Sequence, residues 1–322
     1  MPPDVKYVGR TEEIIGSYLE KHPEARAKLV IATKVSGPTP GNFISANREK
    51  TLTGTADANA PLPRIKPEQI KRAVAASLVR MKTDYIDLYQ LHWPDRYTPL
   101  WGSFVYNKAM EGGHSQQPRA SPEDRVAFED VVKCLGELME AGAIKHWGLS
   151  NETSYGVCQW VAAAQRCGVR PPISIQNDFS LTDRRFEGEL AETCSSIHCN
   201  LGLLAYGSLN GGTLSGKYSQ GAKPAKARHT LWGGFQSRYH CDAALQAADL
   251  YADIAVDVGI TPAQLALAWA FSRHFMGAVI IGATTVEQLE ENIKASDIQL
   301  SKETLGRIDA VHAQIRNPNL RN

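Results

Sequence analysis

The sequence has no Cys-x-x-Cys pair, no cysteine–histidine cluster at zinc spacing, no G-x-G-x-x-G turn, no apolar run long enough to span a membrane and no excess of either charge. Each absence removes a class of function. Cys134, Cys158, Cys167, Cys194, Cys199 and Cys241 are scattered, most of them in helix-like segments. Isolated thiols there usually serve as small core residues, so neither a metal site nor a disulfide framework is expected. That cysteine usage points to a reducing, cytoplasmic setting. Formal net charge is +1, with acids and bases interleaved, and neither nucleic acid nor a membrane surface is expected as a partner. The opening MPPDVKYVGR reads neither as a signal peptide nor as a transit peptide. Without a glycine-rich turn after any strand, a Rossmann sheet is disfavoured.

What is present suffices for a large folded domain. Of 322 residues, 43% are hydrophobic and 21% charged, the balance of a globular chain with a real core. Short apolar runs, rich in β-branched and aromatic residues, predict strands at 28–35, 85–92, 144–150, 173–179, 201–207 and 277–282, each of the kind buried on both faces. Helical periodicity predicts helices over 12–21, 67–81, 122–141, 154–167, 242–258, 262–273, 285–294 and 302–315. Start and stop signals support them: Thr11 as a cap, Pro67 and Glu68 in a first turn, Ser121 with Pro122, Gly142, Gly168 and Gly259 as stops, and Thr261 before Pro262. Strictly alternating strand and helix implies parallel strands joined by right-handed crossovers. The expected fold is therefore α/β, of the (β/α)8 TIM-barrel type, as a single domain over 1–322. Six strands are found where a closed barrel needs eight.

In such barrels the C-terminal strand ends line the site. Here they present Lys34, then His92 with Trp93, then Ser150 and Asn151, Gln176 and Asn177, Tyr206 and Ser208, and lastly Gly282, Ala283, Thr284 and Thr285. Each has a bland reading: Lys34 as a rim lysine, His92 as a structural histidine, Asn151 as a cap, Tyr206 as packing. Their common position favours a site. Two long stretches, 36–66 and 94–121, follow strands and are read as pocket-building loops or as unstructured insertions. Trp93, Tyr97, Trp101 and Phe104 suggest a pocket for aromatic or bulky small molecules.

The segments IATKV (31–35), TDYIDLYQLHWP (83–94), GLSN (148–151), IQN (175–177), LLAYGSL (203–209), LSGKY (214–218) and IGATTVEQLEENI (281–293) resemble an aldo-keto reductase. They are most similar to the Tas-type branch, which is related to aryl-alcohol dehydrogenases and potassium-channel β subunits. The resemblance implies an eight-stranded barrel that reduces aldehydes and ketones with NADP(H). It assigns Lys34 and His92 to catalysis. It assigns Ser150, Asn151 and Gln176 to the nicotinamide amide and Tyr206 to stacking on the ring. Ser208, Leu209, Gly216 and Lys217 would follow the pyrophosphate. Gly282, Ala283, Thr284, Thr285, Gln288 and Asn292 would hold the adenosine end, with hydroxyls and backbone amides where relatives often place Lys or Arg.

The family also carries an Asp-Thr-Ala-x-x-Tyr run that supplies the aspartate and the proton-donating tyrosine, and this sequence contains none. By the resemblance, Met1 falls just downstream of it, so the first two strands and first helix of the barrel would lie upstream. Neither Tyr7 nor Asp4 is placed to substitute. Three expectations follow: lowered activity for the chain as written, open barrel edges prone to self-association or a protein partner, and a non-catalytic NADP(H)-binding or regulatory subunit as the alternative to a carbonyl reductase.

Overall fold

The computed structural model describes residues 7–38, 64–111 and 126–320. The chain forms two compact units, one of Met1–Thr98 with Tyr106–Ile175, the other of Pro99–Val105 with Gln176–Asn322.

In the first unit the order is α1 (Arg10–Lys21), β1 (Ala32–Val35), α2 (Pro67–Met81), β2 (Ile86–Leu91), α3 (Phe128–Glu140), β3 (Ile144–Ser150) and α4 (Ser154–Cys167), before β4 (Ser174–Gln176). The strands pair in parallel, with Lys34 opposite Gln90, Val35 opposite Leu91, and Leu91 opposite Leu149. Every residue of β2 is buried, as a parallel strand covered on both faces requires. Pro67 stands at the start of α2, where its missing N–H costs nothing. α4 starts at Thr153, whose hydroxyl accepts from the Gly156 N–H.

The second unit continues with α5 (Glu189–Thr193), β5 (Gly202–Ala205), α6 (Arg228–Leu231), α7 (Asp242–Asp257), α8 (Pro262–Phe271), β6 (Met276–Val279), α9 (Val286–Lys294) and α10 (Lys302–Gln314). β5 and β6 pair in parallel, Ala205 opposite Val279, with a register shift between Leu203 and Leu204. α8 opens on a Thr261–Gln264 capping box and is buried from Leu265 through Ala270, as an all-round apolar helix must be. Trp269 from α8 stacks on Phe179, ring centroids 5.1 Å apart.

The α/β class, the parallel pairing and the six strands among the described residues agree with the sequence. α2 and α4 occupy the predicted spans. One strand is corrected. The run 28–35 is not extended throughout: Pro23–Lys28 form a 3-10 helix, and Leu29 and Val30 are 41% and 82% exposed. The cause is Arg26, whose guanidinium donates to Leu29 O (3.1 Å), Tyr85 O (2.9 Å) and Asp87 Oδ2 (2.8 Å), while Ile31 N also donates to Asp87 (3.0 Å). Side-chain bonds there satisfy groups that a longer strand would have paired. The runs at 173–179, 201–207 and 277–282 are seen as the shorter strands given above, and the residues after each enter loops. The helix predicted from 122 is seen from Phe128; Ser121, Pro122, Asp4 and most of the loops 36–66 and 94–121 lie outside the described residues.

Candidate functional site

In the first unit three strand ends meet. His92, one residue past β2, donates its backbone N–H to Val35 O at the end of β1 (3.0 Å). Asn151, one residue past β3, donates Nδ2 to His92 O (2.9 Å) and to Ser150 Oγ (3.2 Å). Asn151 holds a left-handed φ of 53°, a conformation that asparagine tolerates better than most residues. Burial depresses the Lys34 ammonium below its ordinary pKa. The same cause, aided by the Lys34 charge, lowers the His92 imidazole to about 3. His92 is therefore neutral across the physiological range and has one N–H to offer.

That depression has a stability consequence. An imidazole whose pKa falls from 6.5 when unfolded to about 3 when folded gives stability that is complete above pH 6.5 and lost as pH falls toward 3. In ¹⁵N–¹H spectra His92 is expected to stay neutral at pH 5; an imidazolium signal at that pH would refute the assignment.

Beside this junction Glu152 accepts both Arg96 Nη1 (2.8 Å) and Nη2 (2.7 Å), the Trp160 indole N–H (2.9 Å) and the Thr153 N–H (2.9 Å). A Cβ at Gly156 would come within 2.2 Å of its carboxyl carbon, so the first turn of α4 closes directly over it. Arg64 and Asp95 form a second buried pair at 2.6 Å. Burial holds Asp95 up at about 6 in spite of the guanidinium.

In the second unit the loop after β5 is a chain of left-handed residues: Gly207 (φ 76°), Asn210 (49°), Gly211 (63°), Gly212 (108°) and Gly216 (78°). Asn210–Gly212 are consecutive, and the loop closes on itself: Asn210 N donates to Gly207 O (2.7 Å), Gly212 N to Leu209 O (2.8 Å) and Gly216 N to Thr213 O (3.4 Å). Lys217 folds over it; a Cβ on Gly212 would lie 2.9 Å from its Nζ. Ser208 is buried and donates Oγ to Phe179 O (3.1 Å). His229 Nε2 lies 3.1 Å from Asn210 O, and its backbone N–H donates to the Tyr218 hydroxyl (3.0 Å). Asn210 donates Nδ2 to Thr182 Oγ1 and faces the Asn319 side chain. At α9, Thr285 caps the first turn, Gln288 Oε1 accepts from Thr284 N and Oγ1 (3.0 Å each), and buried Asn292 donates to Gly282 O (3.4 Å).

A match to the Aldo/keto reductase family covers residues 6–313. The chain belongs to that family. Over 312 residues it is 39% identical to "Protein tas" of Escherichia coli (strain K12), covering 97% of this chain and 82% of that protein. It is 34% identical to "Aldo-keto reductase" of Babesia bovis over 297 residues, 91% of this chain and 98% of that one. A "Probable voltage-gated potassium channel subunit beta" of Arabidopsis thaliana is 28% identical over 295 residues, 90% and 75% of the two chains. The aldo-keto reductase fold is the (β/α)8 barrel, and the family consists of oxidoreductases that use nicotinamide cofactors on small carbonyl compounds. The resemblance carried by the seven motifs is thus a true kinship.

Of the residues named from the aldo-keto reductase motifs, Lys34, His92, Ser150 and Asn151 cluster in the first unit. Gln176 ends β4; Tyr206, Ser208, Leu209, Gly216 and Lys217 share one loop in the second unit, and Gly282–Thr285 lead into α9, which carries Gln288 and Asn292. The aromatic set is partly committed elsewhere. Trp93 is buried with its indole N–H on Pro38 O (2.6 Å), and the Tyr97 hydroxyl accepts from Asn107 N (3.1 Å), whereas Trp101 and Phe104 are exposed. Tyr7 is also exposed. Sequence reasoning passed over Glu152, Arg96, His229, Asp178, Arg238 and Tyr239. Two of these directly adjoin quoted motifs, GLSN and IQN. Arg238 and Tyr239 lie in a stretch without periodicity, where nothing local marks them.

Proposed function

We propose that this protein is an NADP(H)-dependent carbonyl reductase that converts aldehydes and ketones to alcohols. The observation that carries the reading is the meeting at the first unit's strand ends of a half-buried lysine and an imidazole held neutral down to about pH 3. Reduction leaves negative charge on the carbonyl oxygen, and preorganised donors aimed at developing charge are the strongest catalytic device available to a protein. His92 would donate its N–H to that oxygen, and Lys34 would supply the positive field. NADP(H), when bound, supplies the hydride.

The second unit's residues fit such a cofactor. The left-handed turn 207–216 with Lys217 suits a diphosphate, and the capped N-terminus of α9, with Thr284 and Thr285, suits the phosphorylated adenosine end. Ser150, Asn151 and Gln176 would orient the nicotinamide amide, and Tyr206 would stack on the ring. Substrates are small carbonyl compounds, aromatic or bulky ones favoured by exposed Trp101 and Phe104. A cytoplasmic setting is part of the same reading.

The channel-subunit names of two relatives support a second reading, a regulatory subunit that binds NADP(H) without turnover. Exposed Gly277, Ala278 and Ile280 at β6 would give it a partner-facing edge. The deciding assay follows NADPH absorbance with a panel of aromatic and aliphatic aldehydes, alongside NADPH binding by fluorescence. The reductase reading expects aldehyde-dependent oxidation, and NADPH binding weakened about tenfold or more by Lys217→Ala. Binding without oxidation would give the regulatory reading; no binding would defeat both.

A further inference from the structure

Beneath Tyr206 lies a buried charged network to which no motif points. Asp178, two residues past β4, stands opposite Tyr206 in a parallel bridge. Tyr206 N donates to Asn177 O (3.1 Å), and Phe179 N donates to Tyr206 O (3.0 Å). The Asp178 carboxylate, with its side chain 7% exposed, accepts through Oδ2 from the Tyr239 hydroxyl (2.7 Å) and from Arg238 Nη2 (3.1 Å) and Nε (3.3 Å). Arg238 Nη2 also donates to the Tyr239 oxygen (2.8 Å), and its guanidinium carbon lies 4.2 Å from that ring's centroid. Oδ1, buried, has no hydrogen-bond partner among the described residues and points at the next turn. A Cβ on Gly207 would lie 2.4 Å from it and 2.7 Å from the Tyr239 oxygen.

Such a network is an expensive way to stabilise a fold, because burying charges costs several kcal/mol per ion before their attraction is counted. Its value lies in what it orients. Between Tyr206 and Ser208 the chain passes at Gly207 so close to one carboxylate that no Cβ would fit, and that carboxylate is itself fixed by three donors. Tyr206, Gly207 and Ser208 therefore have a rigid floor on which to present a ring face and a turn of N–H groups.

We propose that Asp178, Arg238 and Tyr239 are positioning residues for the nicotinamide-stacking tyrosine and for the turn that leads into the cofactor diphosphate loop. The proposal rests on the cofactor reading above. They act through Tyr206 and Gly207 and touch no substrate.

The test compares the full chain with Asp178→Asn, Tyr239→Phe, their double variant, and Ile308→Ala as a control that opens a cavity on α10. Two quantities are read: the NADPH dissociation constant, and hydrogen exchange at residues 206–209 without cofactor. The expected result is about tenfold weaker NADPH binding in each single variant, as for loss of one hydrogen bond to a charged group. The double variant should be little worse than either single one, and exchange at 206–209 should quicken. Ile308→Ala should lower the melting temperature and leave both readouts unchanged. Unaltered exchange at 206–209 in a folded Tyr239→Phe protein overturns the proposal, as does equal quickening in Ile308→Ala. If the wild-type chain binds no NADPH but exchange still responds, the positioning network stands and the cofactor reading falls.

Discussion

Lys34→Met is expected to lower kcat for aldehyde reduction by about 100- to 1,000-fold, the usual cost of removing one preorganised charge-stabilising group. NADPH affinity should change only a few-fold. Methionine keeps the length and apolar stem of the lysine, so the packing of β1 against β2 should survive. The variant also carries a readout independent of turnover. The Lys34 charge is one reason the His92 imidazole titrates so low; with the ammonium gone, the His92 pKa should rise, leaving burial as its main depressant. Full activity in Lys34→Met would remove it from the chemistry. Loss confined to NADPH affinity would make it a binding residue, and an unmoved His92 titration would show that the two groups do not sense each other.

Much of this arrangement is legible in the chain because several signals agree. Helices α2 and α4 are bounded by a proline at the start of one and a glycine after the other, so periodicity and punctuation coincide. β3 is read in full: Ile144–Ser150 is the predicted span, and Ile144 to Leu149 pair with β2. Agreement fails where a side chain outcompetes the ladder. Val30 has all the marks of a strand residue, yet Arg26 reaches across from a 3-10 turn and takes the carbonyls that extension would need. Site residues divide in the same way. Lys34, His92 and Asn151 stand at strand ends, a position that can be counted from the sequence. Asp178 is one residue beyond a quoted motif and could have been noticed as an acid just after a strand end. Arg238 and Tyr239 reach it from 60 residues further on, through a loop whose path only the folded chain reveals.

Glu152→Ala is expected to destabilise the fold by about 3–5 kcal/mol, the range for breaking one side of a buried ion pair. The magnitude follows from what is stranded. Arg96 loses both arms of a bidentate contact, and the Trp160 indole and Thr153 N–H lose their acceptor at 2.9 Å. Alanine does not refill the space beneath Gly156, where the carboxylate sits so close that a Cβ on the glycine would lie 2.2 Å from its carboxyl carbon. Partial exposure of Arg96 works the other way, since solvent can take up one of its arms and hold the loss toward the lower end. Urea unfolding would check the figure. Glu152→Gln, which keeps the shape and two acceptor lone pairs but not the charge, should cost less than the alanine. The damage should also reach the chemistry: Glu152, fixed by these bonds, directly follows left-handed Asn151, whose amide holds the His92 carbonyl. A Glu152→Ala protein as stable as the wild type would mean that this pair is screened by solvent, and that Asn151 keeps its conformation without it.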